Sequence, residues 1–284
     1  MRTFVLAAAA AIAFAGLTAP ASAECASDQS VAVFVTDYLA KTPTWALSVG
    51  GTMDDAMCSQ GKLVAALSET MGPPVGYKAG LTSKKVQEVF KADEPVMGVL
   101  LRDMILEDGA QVPALFGARP LVEGDLLLII GDEAINDAKT PEEAIRSISE
   151  VRPFIELPDI PTAQGQPLTP VTLTAMNVGA RLGVEGAPIA VKDPDAMLKA
   201  LADMTVKITA ADGSVLSETK GSAVLGNPVN SVLWLRSKGV TFKPGDIVSV
   251  GSMGPLLFPD ATGGKATATY DGLPGNPSIS VTFN

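Results

Sequence analysis

Apolar positions recur at near-helical spacing through the early part of the chain. Val31, Phe34, Val35, Tyr38 and Leu39 form one stripe, and Met57, Leu63, Val64 and Leu67 form a second after Asp54-Asp55. This pattern predicts helices within residues 28–71, parted by a turn at Thr42-Pro43. From Val75 to Phe283 the pattern changes to short β-rich segments punctuated by Gly and Pro. The change divides the chain into a helical N-terminal subdomain over 24–72 and a β-rich domain over 73–284.

Two helices interrupt the β-rich part. Thr140-Pro141-Glu142-Glu143 combines an N-cap, a Pro at the first helical position and a Glu at the third. Ala144, Ile145 and Ile148 then share one face, so the helix is expected to end only before Pro153. Asn227-Pro228 opens another, which carries Val232, Leu233 and Leu235 and stops at Gly239. Ala211-Asp212-Gly213-Ser214 marks a hairpin between Met204–Thr209 and Val215–Glu218, and Pro244-Gly245 turns the chain into the strand 246–250. Strands close the chain at 266–270 and 279–283.

The N-terminus has another character. Arg2, an apolar run from Phe4 to Leu17 and the small residues Ala21-Ser22-Ala23 make residues 1–23 a secretory signal peptide, with cleavage expected after Ala23 and a periplasmic or secreted product. The apolar run is shorter than the roughly 20 residues that span a bilayer, so no membrane insertion is expected after cleavage. In an oxidising compartment Cys25 and Cys58 would pair, although two separate thiols are also compatible with the sequence.

Charge and composition narrow the chemistry. With 21 Lys and Arg against 31 Asp and Glu, the net charge is −10, and no basic cluster offers a nucleic-acid surface. The chain has no histidine, which excludes Ser-His-Asp and Cys-His hydrolysis and His-rich zinc sites. Carboxylates and lysines must carry any reaction. Glu123 and Asp125 are separated by two on a strand-like segment over 121–130, so they project from one face and offer two oxygen ligands to a hard cation. Glu156 lies in the apolar run Pro153–Pro158, where an unpartnered charge is costly. Two acids on a strand are more often the mark of its solvated face, and by themselves these residues favour that reading over a metal site.

A family resemblance bears on that choice. Gly76-Tyr77-Lys78-Ala79-Gly80-Leu81-Thr82-Ser83 resembles the Gly-Tyr-Lys-x-Gly-Leu-Thr-Ser signature of 2-keto-4-pentenoate hydratases. Pro120–Asp125, Phe154-Ile155-Glu156, Gly221–Pro228 with Trp234-Leu235, and Gly245–Ser252 are similar to further blocks of that family in the same order. The likeness covers about residues 54–284 and extends to the fumarylacetoacetate hydrolase superfamily. It implies an α+β fold, a fumarylacetoacetase C-terminal-like mixed β-sandwich roll carrying the helical N-terminal subdomain.

The resemblance also implies a hydro-lyase that adds water to a 2-hydroxy-2,4-dienoate, with a 2-oxo acid as substrate, Mg2+ or Mn2+ as cofactor and homo-oligomeric assembly. Lys78 is carried over as the active-site lysine. Glu123, Asp125 and Glu156 are carried over as metal ligands, and Leu81, Thr82, Ser83, Asn177 and Ser252 as substrate-binding residues. The chain departs from the family in three places. Asp125 replaces a Glu, Ala175-Met176 stand before Asn177 where the family has Ala-Asp, and the Arg- and Trp-containing stretch after the third ligand is not evident in 158–170. Two alternatives remain: a 2-oxo-3-enedioate decarboxylase of the same fold, and a noncatalytic exported oxo-acid-binding protein.

Overall fold

The computed structural model describes residues 25–284, and the segment 1–23, expected to be a signal peptide, lies outside the described residues. Helix α1 spans Asp28–Ala40 and α2 spans Met53–Met71. Ser27 caps α1 by accepting from the Ser30 amide, and Thr52 and Asp55 form a reciprocal capping box on α2. Their predicted stripes, including Val31, Phe34, Tyr38, Leu63, Val64 and Leu67, are buried together. The same cluster includes Leu100, Leu101, Met104, Leu173 and Met176, so these helices share a core with the β-rich part. A disulfide joins Cys25 to Cys58, with Cα atoms 5.5 Å apart, and ties the chain ahead of α1 to α2.

The remaining elements, in chain order, are β1 (Pro74–Gly80), α3 (Lys84–Phe90), β2 (Val96–Leu101), β3 (Ile105–Glu107), β4 (Gln111–Val112), β5 (Glu123–Ile130), α4 (Pro141–Ala144), β6 (Ile148–Leu157), α5 (Pro170–Ala175), β7 (Leu182–Glu185) and β8 (Ile189–Ala190). They are followed by α6 (Pro194–Asp203), β9 (Thr205–Thr209), β10 (Val215–Lys220), α7 (Asn230–Ser237), β11 (Ile247–Ser249), β12 (Lys265–Asp271) and β13 (Ser278–Phe283).

The larger sheet runs β2-β1-β11-β5-β6-β7-β3, with β8 also on β6. Its edge strands β2 and β3 are joined by only Arg102–Met104. Three residues reach roughly 10 Å, so the two edges must approach and the sheet rolls up. Inside the roll Leu127, Ile129 and Phe154 are buried together with Ile105 and Ile247. The smaller sheet, β10-β9-β12-β13-β4, covers the outer face of β5 and β6. Gly124 shows which face this is, because a Cβ there would stand 2.9 Å from Val206 of β9. Residues 123 and 125 therefore point the other way, into the roll.

The hairpin at 211–214 and the turn at Gly245 lie where the sequence predicts them. The helix after Thr140 does not extend as expected. Thr140 does cap it, accepting from the Glu143 amide, but α4 is one turn long, and Ile148 already opens β6, which runs through Pro153. A cap specifies where a helix starts and not how far it continues. Here pairing with β5 and burial of Ile148, Val151, Phe154 and Ile155 prevail over helical spacing. Similarly, Asn227 accepts from the Val229 amide and caps a turn, and α7 proper begins at Asn230.

Candidate active site

Four charged side chains meet on the inner face of the roll. Lys78 comes from β1, Glu123 and Asp125 from β5 and Glu156 from β6, and their exposures are 2%, 6%, 0% and 2%. Register brings them together: Glu123 and Glu156 are direct cross-strand partners, and Lys78 is paired with Ser249 of β11. The Lys78 ammonium donates to Glu156 Oε1 and, at 3.1 Å, to the carbonyl of Val178. Its stem needs Gly98 opposite, where a Cβ would stand 2.8 Å from Lys78 Cγ.

The charges do not balance. Three carboxylates face one ammonium, leaving two negative charges in excess if all are ionised. Burial, followed by repulsion from Glu156, pushes Glu123 well above the usual carboxylate range, with Lys78 and Ser252 opposing the shift. Burial and Glu156 push Asp125 up to about 7, against hydrogen bonds from Ser249 and the Leu126 amide. Burial alone would depress Lys78, but Glu156, Glu123 and Asp125 together outweigh it and hold the amine above its ordinary value.

The two strand acids are used differently. Glu123 stands directly opposite Glu156 on the neighbouring strand, and the nearby Ser252 hydroxyl donates to the Gly254 carbonyl at 3.0 Å. Asp125 is turned toward β11: Oδ1 accepts from the amides of Leu126 (2.6 Å), Val250 (3.1 Å) and Gly251 (3.0 Å), and Oδ2 accepts from the Ser249 hydroxyl. Oδ1 is saturated, and Oδ2 keeps acceptor capacity. Among the described residues no three His, Cys, Asp or Glu side chains stand at metal-holding spacing. The expected three-ligand arrangement is therefore not assembled here, because Glu156 is bound to Lys78 and Asp125 to β11. The donor chemistry still fits a hard divalent cation: oxygen ligands only, buried, with two negative charges uncompensated.

The residues expected to contact substrate divide into two groups. Ser252 lies beside Glu123, and Leu81-Thr82-Ser83 form the loop that leaves the Lys78 strand. Ser83 caps α3 by accepting from the Val86 amide at 3.4 Å. Gly251, at φ +113°, packs against the Thr82 side chain. Asn177 corrects the expectation. Its amide is spent on Val99, accepting from the amide at 2.7 Å and donating to the carbonyl at 2.8 Å. Its contribution to the site is made through the backbone. Asn177 and Val178 both take left-handed conformations, at φ 58° and 51°, and so set the Val178 carbonyl on Lys78. For β-branched Val178 this conformation costs about 1–2 kcal/mol. Ser249 and Tyr270, which bear directly on Asp125 and its strand, carry no local sequence signal that marks them.

Comparison with known proteins agrees with the residue pattern. The 2-keto-4-pentenoate hydratase of Burkholderia vietnamiensis (strain G4 / LMG 22486) is 33% identical over 214 residues, covering 74% of this chain and 78% of the relative. The chain belongs to the 2-keto-4-pentenoate hydratase family. No protein-family model matches it. Among solved structures, this hydratase-family chain superposes on 4-oxalocrotonate decarboxylase from Pseudomonas putida G7, complexed with magnesium and adipate, with a TM-score of 0.73 at 20% identity over 90% of this chain and 98% of that one. It superposes on fumarylpyruvate hydrolase from Pseudomonas aeruginosa, in complex with Mn2+ and pyruvate, with a TM-score of 0.51 at 14% identity over 73% and 88%. At these identities the structures establish the fold, the α+β roll of the fumarylacetoacetate hydrolase superfamily.

Proposed function

We propose that this hydratase-family chain is a hydro-lyase that adds water to a 2-hydroxy-2,4-dienoate and yields a 4-hydroxy-2-oxo acid. The observation that carries this reading is the buried quartet of Lys78, Glu123, Asp125 and Glu156 on the inner face of the roll, two positive charges short of neutrality. Glu123 and Glu156, with Asp125 Oδ2, would hold a divalent cation, Mg2+ or Mn2+, which both suit all-oxygen donor sets. When bound, such an ion supplies Lewis-acid stabilisation of negative charge on the oxygens of a chelated 2-oxo acid.

The chain's own residues do the rest. Lys78, kept protonated by its three acidic neighbours, brings a positive charge and a donor to the carboxylate end of the substrate. Burial and Glu156 oppose ionisation of Glu123, and any proton it holds must leave before its oxygens can act as ligands. The near-complete burial of the quartet excludes bulk water, so the water consumed is one admitted with the substrate. The test is ultraviolet loss of the dienol with added Mn2+, with and without chelator. Turnover abolished by chelator supports the reading, and saturable binding without turnover means a noncatalytic oxo-acid binder.

The fold match to 4-oxalocrotonate decarboxylase favours one second reading, decarboxylation of a 2-oxo-3-enedioate. Release of CO2 in place of water uptake separates the two. We further propose that the chain is exported. Residues 1–23 and the Cys25–Cys58 disulfide support this, and an intact mass beginning at Glu24 in a periplasmic fraction tests it. Homo-oligomeric assembly is proposed from the family resemblance and is tested by sedimentation.

A further inference from the structure

Tyr270 stands on β12, in the smaller sheet, and is fully buried. Its hydroxyl enters the β5–β6 pair from the outer face, opposite the carboxylates. It accepts from the Phe154 amide at 3.0 Å, and it stands within donating distance of the carbonyl oxygens of Phe154 at 2.7 Å and Asp125 at 2.9 Å. Asp125 and Phe154 are direct cross-strand partners, and two residues along the same strands stand Glu123 and Glu156, also partners. One side chain from the second sheet therefore satisfies three backbone groups of the two strands that carry the acidic site.

We propose that Tyr270 is a positioning residue for the reaction. Its hydroxyl fixes the spacing of β5 and β6 at the Asp125–Phe154 pair and, through it, the mutual setting of the Glu123 and Glu156 carboxylates. It reaches the strands from behind the site and touches no substrate. The inference rests on the hydratase reading for its activity readout. Tyr38 provides the control: it is also buried, but its hydroxyl donates to a single carbonyl, Ala180 at 3.0 Å, away from the quartet.

The experiment compares full-length wild type, Tyr270→Phe and Tyr38→Phe for Mn2+ affinity by titration calorimetry and for kcat and KM separately. Tyr270→Phe is expected to weaken Mn2+ binding about tenfold and to lower kcat about 10–100-fold with a smaller change in KM, the range for losing an outer-sphere support of metal ligands. Tyr38→Phe should leave each within about twofold. If Tyr270→Phe matches Tyr38→Phe in metal binding and turnover, the hydroxyl only fills the core and the proposal is overturned. Should Tyr270→Phe not accumulate as folded protein, amide exchange in wild type decides. Exchange at Phe154 slowed about tenfold by Mn2+ supports coupling, and unchanged exchange overturns it. Wild type that neither binds Mn2+ nor turns over sinks the hydratase reading itself, and the positioning role with it.

Discussion

Among the described residues two buried charged clusters stand out, and they are built to opposite rules. In one, Arg181 pairs with Asp159 at 3.4 Å, donates to the carbonyls of Phe116 and Tyr38, and stacks 4.3 Å from the Tyr38 ring centroid. Asp159 accepts from the amides of Ala118 (3.1 Å) and Arg119 (2.7 Å). One positive charge meets one negative, and backbone groups satisfy what is left. The other cluster, Lys78 with Glu123, Asp125 and Glu156, has three acids to one base, and its acids Glu123 and Asp125 resist ionisation. Burial is equally deep in both, so burial does not distinguish them. Charge balance does: the neutral cluster joins α1 to the sheet, and the unbalanced one is poised for a cation it does not itself supply.

The largest effect expected from this contrast is on activity. Glu123→Ala should abolish Mn2+ binding and lower kcat/KM about a thousandfold or more, as loss of the cation that would stabilise negative charge on the reacting oxygens implies. It should also raise the thermal stability of the metal-free protein at pH 8, because a buried carboxyl whose ionisation its surroundings oppose is gone. Lowered stability with activity retained would remove Glu123 from the site. Arg181→Met tests the other cluster by leaving Asp159 buried and unpaired. It should cost roughly 3–5 kcal/mol in denaturant unfolding, with kcat/KM of the folded fraction within about twofold of wild type.

The next effect is on pH dependence. Asp125 has its folded-state value raised to about 7, so relative to the unfolded chain it favours the folded protein at low pH. That contribution is complete below the unfolded value near 4 and is lost as pH rises toward 7. Metal-free protein should therefore lose stability from pH 4 to pH 7, a loss that Asp125→Asn removes. Mn2+ affinity should move the other way and weaken up to about tenfold per pH unit below 7, because ligands must lose their protons. Chemical denaturation and calorimetry across this range measure both slopes. The smallest expected effect is at Ser249→Ala, which removes one of four hydrogen bonds to Asp125 and should cost about 1–2 kcal/mol of stability with a change in Mn2+ affinity of about tenfold or less.

Much of this arrangement was legible in the sequence for local reasons. A spacing of two placed Glu123 and Asp125 on one face, a lone acid in an apolar run marked Glu156, and the Gly-Tyr-Lys-x-Gly-Leu-Thr-Ser signature marked Lys78. The use made of Asp125 was not legible. Its partner hydroxyl on Ser249 lies 124 residues away, and nothing local marks that serine. The rolling of the sheet was expected from the family resemblance alone and not from any local pattern, because it depends on β2 and β3 being opposite edges joined by three residues. Asn177 was found by its motif but misread in role, because a motif identifies a residue and not which neighbour occupies its amide. The overlong helix after Thr140 arose in the same way, since a cap is local and a strand pairing is not.

The central claim, that the unbalanced quartet serves metal-assisted hydration, is tested most directly by product mass. Purified mature protein is incubated with 2-hydroxypenta-2,4-dienoate and Mn2+, with and without chelator. The expected product is heavier than the substrate by one water and forms only without chelator. Unchanged substrate in both, or turnover indifferent to chelator, would contradict the account.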